Sequence, residues 1–195
     1  MRNYLLAAFI LTFSNLAIAD ELHVDKSKKN QVQFTAKAPS FLSLAPVVGS
    51  FDGVTEKIDG YVFWTGDDMK SDSEIYFEVD LNSLDTGIGL RNRHMRENYL
   101  ETDEYAYAKY SAKITKVEKD STGLLITVNG KMTIHGVERE LETIGKVIVD
   151  GDSYKISYVI PLKLSDYKIN RGAIFKISDD VKLTLDFYLK KIKKE

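Results

Sequence analysis

The sequence predicts an all-β protein: an antiparallel eight-stranded β-barrel with one short helix inserted at about residues 88–100. Three observations carry that expectation. Most of the chain alternates apolar and polar residues with period two, short polar turns separate the alternating runs, and a single segment switches to helical spacing.

The chain opens on Arg2, a nearly unbroken apolar run from Tyr4 to Phe13, and Ala17-Ile18-Ala19, with small residues where a signal peptidase cleaves. The apolar run is too short to cross about 30 Å of hydrocarbon. Residues 1–19 are therefore expected to be a signal peptide cleaved after Ala19, and 20–195 a single domain in the periplasm or outside the cell. The chain has no cysteine, so that domain must rest on its core and its hydrogen-bond ladder.

Val32 to Ala38 and Ile58 to Trp64 are the first strand candidates. Ile75, Phe77, Val79 and Leu81 then alternate with Glu74, Tyr76, Glu78 and Asp80. Ile88 to Leu100 breaks the rhythm. Leu90, His94, Met95 and Tyr99 recur there at helical spacing, and Asp85 or Thr86 stands where a helix cap would. Strands resume with Tyr110 to Val117, with the apolar row Leu124, Ile126, Val128, Met132 and Ile134, and with Glu140 to Val149. Tyr154, Ile156, Tyr158, Ile160 and Leu162 form the next inward row, and Val181, Leu183, Leu185, Phe187 and Leu189 the last. Gly66-Asp67-Asp68, residues 119–123, His135-Gly136 and residues 150–153 supply the turns. A sheet of about eight half-buried strands curls, and closing it removes its exposed edges.

Several functions are disfavoured. A formal net charge of −2 argues against a nucleic-acid partner. No nucleophile elbow, metalloprotease helix, phosphate loop or thiol is present, so no enzymatic activity is expected. His23, His94 and His135 lie far apart with no ligand spacing, so no metal site is expected, and His135 reads as a residue bonding its own turn.

Two motifs carry a resemblance. Ser83-Leu84-Asp85-Thr86-Gly87-Ile88, followed by Arg91-Asn92-Arg93-His94-Met95 and Tyr99-Leu100-Glu101, is the first; Gly130-Lys131-Met132-Thr133-Ile134-His135-Gly136-Val137 is the second. Both are similar to motifs of the YceI-like family of exported bacterial polyisoprenoid-binding proteins, with Asn92 and Glu101 where the family usually has aspartates. The resemblance implies a lipocalin-like barrel around an apolar tunnel that holds a prenyl chain, as in a prenyl phosphate or a quinone tail. Fatty-acid-like amphiphiles are the alternative cargo, an enzyme acting on an isoprenoid lipid a more remote one. It implies no required cofactor beyond that bound lipid, and a monomer or homodimer.

On this reading the tunnel is lined by Phe34, Phe41, Phe51, Trp64, Phe77, Leu84, Ile88, Met95, Tyr99, Tyr110, Met132, Tyr158, Leu162 and Phe175. From pattern alone the same side chains can equally fill a solid core. Arg91, His94 and Arg171 are the head-group candidates. For the arginines near the helix, the alternative is a solvated face paired with Glu97, Glu101 and Asp103. Lys190, Lys191, Lys193 and Lys194 form a basic end, either simply solvated or making transient contact with an anionic membrane surface.

Overall fold

Ten strand segments form one antiparallel sheet: β1 (Ala19–Val24), β2 (Gln31–Ser40), β3 (Val47–Thr55), β4 (Ile58–Thr65), β5 (Glu74–Asp80), β6 (Tyr107–Asp120), β7 (Gly123–Ile134), β8 (Val137–Asp150), β9 (Ser153–Lys163) and β10 (Asp180–Lys191). The computed structural model describes residues 19–40, 47–66, 68–70, 72–169 and 177–192.

The sheet runs β1-β4-β5-β6-β7-β8-β9-β10-β2-β3, and β1 also pairs with β10. β1 and β2 lie end to end along β10, Val24 facing Leu189 and Gln31 facing Asp186. β3 and β4 lie end to end against them, Thr55 facing Val32 and Tyr61 facing His23. With each pair taken as one bent strand, the barrel is closed and eight-stranded, as the alternation predicts. Buried Asn30 stitches the first bend: its Nδ2 donates to Asp25 O at 3.0 Å and its Oδ1 accepts from Tyr188 N at 2.9 Å. That side chain supplies the backbone partners that the break in the ladder removes.

The ladder parts at two places, both at the end where β5 and β9 finish and β6, β8 and β10 begin. Residues 81–106 cross beside β3, joined to it by Val54 N to Asp85 O and Asp85 N to Val54 O, each 2.9 Å. β8 and β9 pair only from Lys146–Ser157 to Asp150–Ser153 and then fork. Residues 164–167 form a short 3-10 turn against β8, where Arg139 Nε donates to Asp166 O at 2.8 Å.

The predicted helix is α1 (Gly89–His94), continued by a π turn over Met95–Tyr99. Its capping differs from expectation. Ile88 stands at the cap position and offers no side-chain hydrogen bond, so Asp85 and Thr86 do not cap the first turn directly. Asn92 reaches back instead: its Oδ1 accepts from Thr86 N and Oγ1 at 2.8 and 2.6 Å, and its Nδ2 donates to Asp85 Oδ1 at 2.7 Å. An aspartate at 92 could not donate to Asp85, so the departure from the family pattern is structurally used.

His135 also differs from expectation. With Gly136 it forms the β7–β8 turn, both residues at positive φ (52° and 69°), as such hairpins require. Its ring nevertheless leaves the turn: Nε2 meets Glu101 Oε2 at 2.7 Å, and the ring lies 4.6 Å from that of Tyr105. The hairpin is thereby tied to the end of the helical segment.

Candidate ligand-binding cavity

The inward faces of the strands meet in places, as where the Phe77 and Phe187 rings stand 5.1 Å apart, and part elsewhere. They enclose a cavity of about 500 Å³, within the usual 300–1,000 Å³ range of small-molecule sites. Leu22, Val62, Ile126, Ile156 and Leu189 line it on the strands, with Phe34, Phe51, Leu84, Met95 and Leu162 also on its wall.

Most of the residues proposed from the sequence can be placed. Phe34, Phe51, Phe77, Leu84, Ile88, Met95, Tyr99, Tyr110, Met132, Tyr158 and Leu162 border the cavity. Trp64 does not; it is buried in the surrounding core. Phe41, Phe175 and Arg171 lie outside the described residues. Residues the sequence reading missed include Met69, Thr143, Tyr167 and Ile169. Thr143 sits in register with the inward residues of β8, a signal that was available. The other three lie in irregular segments, where no periodicity marks an inward side chain.

Two tyrosine hydroxyls on the wall are already engaged. Tyr110 donates to Leu141 O at 3.0 Å, a carbonyl beyond the last β8–β9 pair, and Tyr158 reaches Ile126 O at 3.3 Å. Burial pushes both hydroxyls above the ordinary tyrosine range, so they stay neutral donors at physiological pH. Gly145 makes room for Tyr158, since a Cβ at 145 would lie 2.0 Å from the ring.

Arg91 and His94 border the cavity from α1. Arg91 Nη2 donates to Thr86 O at 2.6 Å, and its guanidinium lies 4.6 Å from the centre of the Phe51 ring. Arg96 donates to Leu84 O at 2.9 Å. Two arginines therefore brace backbone carbonyls, and Glu101 turns to His135, so the expected helix-face pairing with Glu97, Glu101 and Asp103 is not what holds them. Among the described residues, no cluster of three or more His, Cys, Asp or Glu is arranged to hold a metal.

Comparison with known proteins agrees with this architecture. Residues 22–189 match the YceI-like domain. The UPF0312 protein of Pectobacterium atrosepticum is 25% identical over 189 residues, covering 93% of this chain and 92% of its own. Protein YceI of Escherichia coli is 27% identical over 150 residues, covering 73% and 72%. Among solved structures, BcnA of Burkholderia cenocepacia superposes with a TM-score of 0.66 at 19% identity, over 85% of this chain and 98% of that one. A polyisoprenoid-binding domain from Saccharophagus degradans gives 0.65 at 19%, over 88% and 98%. With the family domain spanning nearly the whole barrel, this chain belongs to the YceI-like family.

Proposed function

We propose that this protein is an exported carrier that holds the apolar chain of a polyisoprenoid in its barrel and performs no chemistry on it. The observation that carries the reading is the apolar cavity of about 500 Å³ along the inside of a closed barrel. An occupant that fills it takes apolar wall out of water, at about 25 cal/mol per Å² buried. On this reading residues 1–19 direct export and are removed after Ala19, and the carrier works in the periplasm or outside the cell. The polyisoprenoid-binding relative and the family resemblance of the α1 motif support a prenyl cargo, with a prenyl phosphate or quinone as head.

The energetics fit a linear lipid. One five-carbon isoprene unit offers roughly 3–4 kcal/mol at about 0.8 kcal/mol per CH₂. At about 30 Å³ per heavy atom, the share of a water molecule in the liquid, the cavity takes on the order of seventeen heavy atoms, three to four units. Arg91 and His94 stand where an anionic or carbonyl head would emerge. Titrating the delipidated protein with fluorescent prenyl and acyl probes tests the reading. Saturable one-to-one uptake is expected, tighter for prenyl; preference for acyl chains would make the cargo a fatty-acid-like amphiphile, and no uptake of either would sink the proposal.

A further inference from the structure

Ile88 and Leu90 border the cavity, yet they are 53% and 58% exposed. The cavity therefore comes to the surface beside them. Gly87 and Gly89 alternate with these two side chains, and a Cβ at either glycine would meet nothing within 4 Å. The result is a slim, half-exposed apolar prow at the surface of this end of the barrel. It is also basic: from Thr86 to Arg96 the chain carries Arg91, Arg93, His94 and Arg96 and no acid. Arg93 is exposed and outside the cavity wall. Of the two flanking acids, Asp85 is bonded to Asn92 and to the Gly87 amide, and exposed Glu97 follows Arg96, so the stretch from Asp85 to Glu97 keeps a net positive charge. Arg91 and Arg96 fix the carbonyls on either side, so the prow is held in place.

We infer that this end of the barrel docks on an anionic lipid bilayer, Ile88 and Leu90 entering the interface, and that the occupant passes between bilayer and cavity there. The inference rests on the carrier reading and adds its partner surface. An apolar tip with basic neighbours is the composition that settles at an anionic interface. Lys190 and Lys191 are badly placed for this role. β10 runs from Asp180, facing Lys163 at the α1 end, to Lys190, facing Ser153 at the opposite end, and Lys191 is paired with Asp20 at 2.6 Å. A second exposed apolar pair, Ile144 and Val159, lies outside the cavity wall and serves as a control.

The test is flotation of the whole mature protein with phosphatidylcholine vesicles, with and without phosphatidylglycerol. The wild type is expected to float with the anionic vesicles, less so at high salt. Ile88→Asp/Leu90→Asp should abolish flotation. Arg93→Glu should weaken it roughly 20- to 30-fold, at about fivefold per unit charge near such a surface, with uptake of a soluble prenyl probe unchanged. Ile144→Asp and removal of the last three residues should leave flotation intact. Failure of the wild type to float while it takes up the soluble probe overturns the docking inference alone. So does flotation that survives Ile88→Asp/Leu90→Asp but is lost in either control. A wild type that floats yet takes up no probe overturns the carrier reading instead.

Discussion

Gly145→Ala couples packing to cargo. The new Cβ would sit 2.0 Å from Cε2 and Cζ of Tyr158, against an ordinary contact beginning at 3.4 Å, so the ring must withdraw by about 1.4 Å. In a filled core such overpacking costs about 1–3 kcal/mol. Here the ring borders a void and can retreat into it, losing a 3.3 Å hydrogen bond to Ile126 O that contributes at most about 1 kcal/mol. The expected net cost is about 1–2 kcal/mol, a fall in Tm of about 2–8 °C for a chain of this size. The displaced ring takes space from the occupant, and excluding even half an isoprene unit forfeits about 1.5–2 kcal/mol, at least a tenfold loss of affinity. Thermal melts of the delipidated protein and titration with a prenyl probe read the two effects. Adding Tyr158→Leu should relieve both. A Tm loss well above 10 °C would mean that the ring has nowhere to go, and unchanged affinity would mean that the cargo does not lie against Tyr158; either result refutes the reasoning.

Three further outcomes are expected. Burial holds Tyr110, Tyr154, Tyr158 and Tyr167 above the ordinary tyrosine value of 10.0, and a hydrogen bond to Glu78 pushes Tyr76 to about 12. The folded barrel keeps protons that the unfolded chain gives up, so stability is full below about pH 10 and declines as pH rises through the folded values; urea midpoints that stay level above pH 10 would contradict this. Hydrogen bonds from Asn92 and the Gly87 amide hold the Asp85 carboxyl below its ordinary 3.8, so its tie to α1 is intact above that value and is lost as pH falls through the folded one. Asp85→Ala should then speed amide exchange over residues 86–94 at neutral pH, and exchange indistinguishable from wild type would assign the bracing to other groups. Affinity in a prenyl series should climb steeply to about three or four units and then flatten, as the volume dictates; a continued climb to eight units would require a longer enclosed path.

Much of the barrel was legible because burial on one face of a strand writes itself as period two. The rows from Ile75 to Leu81, Tyr154 to Leu162 and Val181 to Leu189 all face inward. What was not legible depended on partners distant in sequence. The splitting of two long strands into β1–β2 and β3–β4 turns on Asn30 finding Tyr188, which no local pattern encodes. Trp64 follows the same alternation as its neighbours, yet it packs in the core off the cavity, because alternation specifies a face and not a depth. Asn92 and His135 were noticed as residue types, but their roles arise from Asp85, Thr86 and Glu101, brought to them by the fold. The exposure of Ile88 and Leu90 was likewise invisible, since helical spacing suggests burial for Leu90.

The lipid-carrier account stands or falls on what fills the barrel. Native mass spectrometry of the protein, purified without detergent from the organism that makes it, should show a one-to-one adduct whose released mass is that of a polyisoprenoid. An empty barrel that also refuses prenyl and acyl chains offered to it would contradict the account.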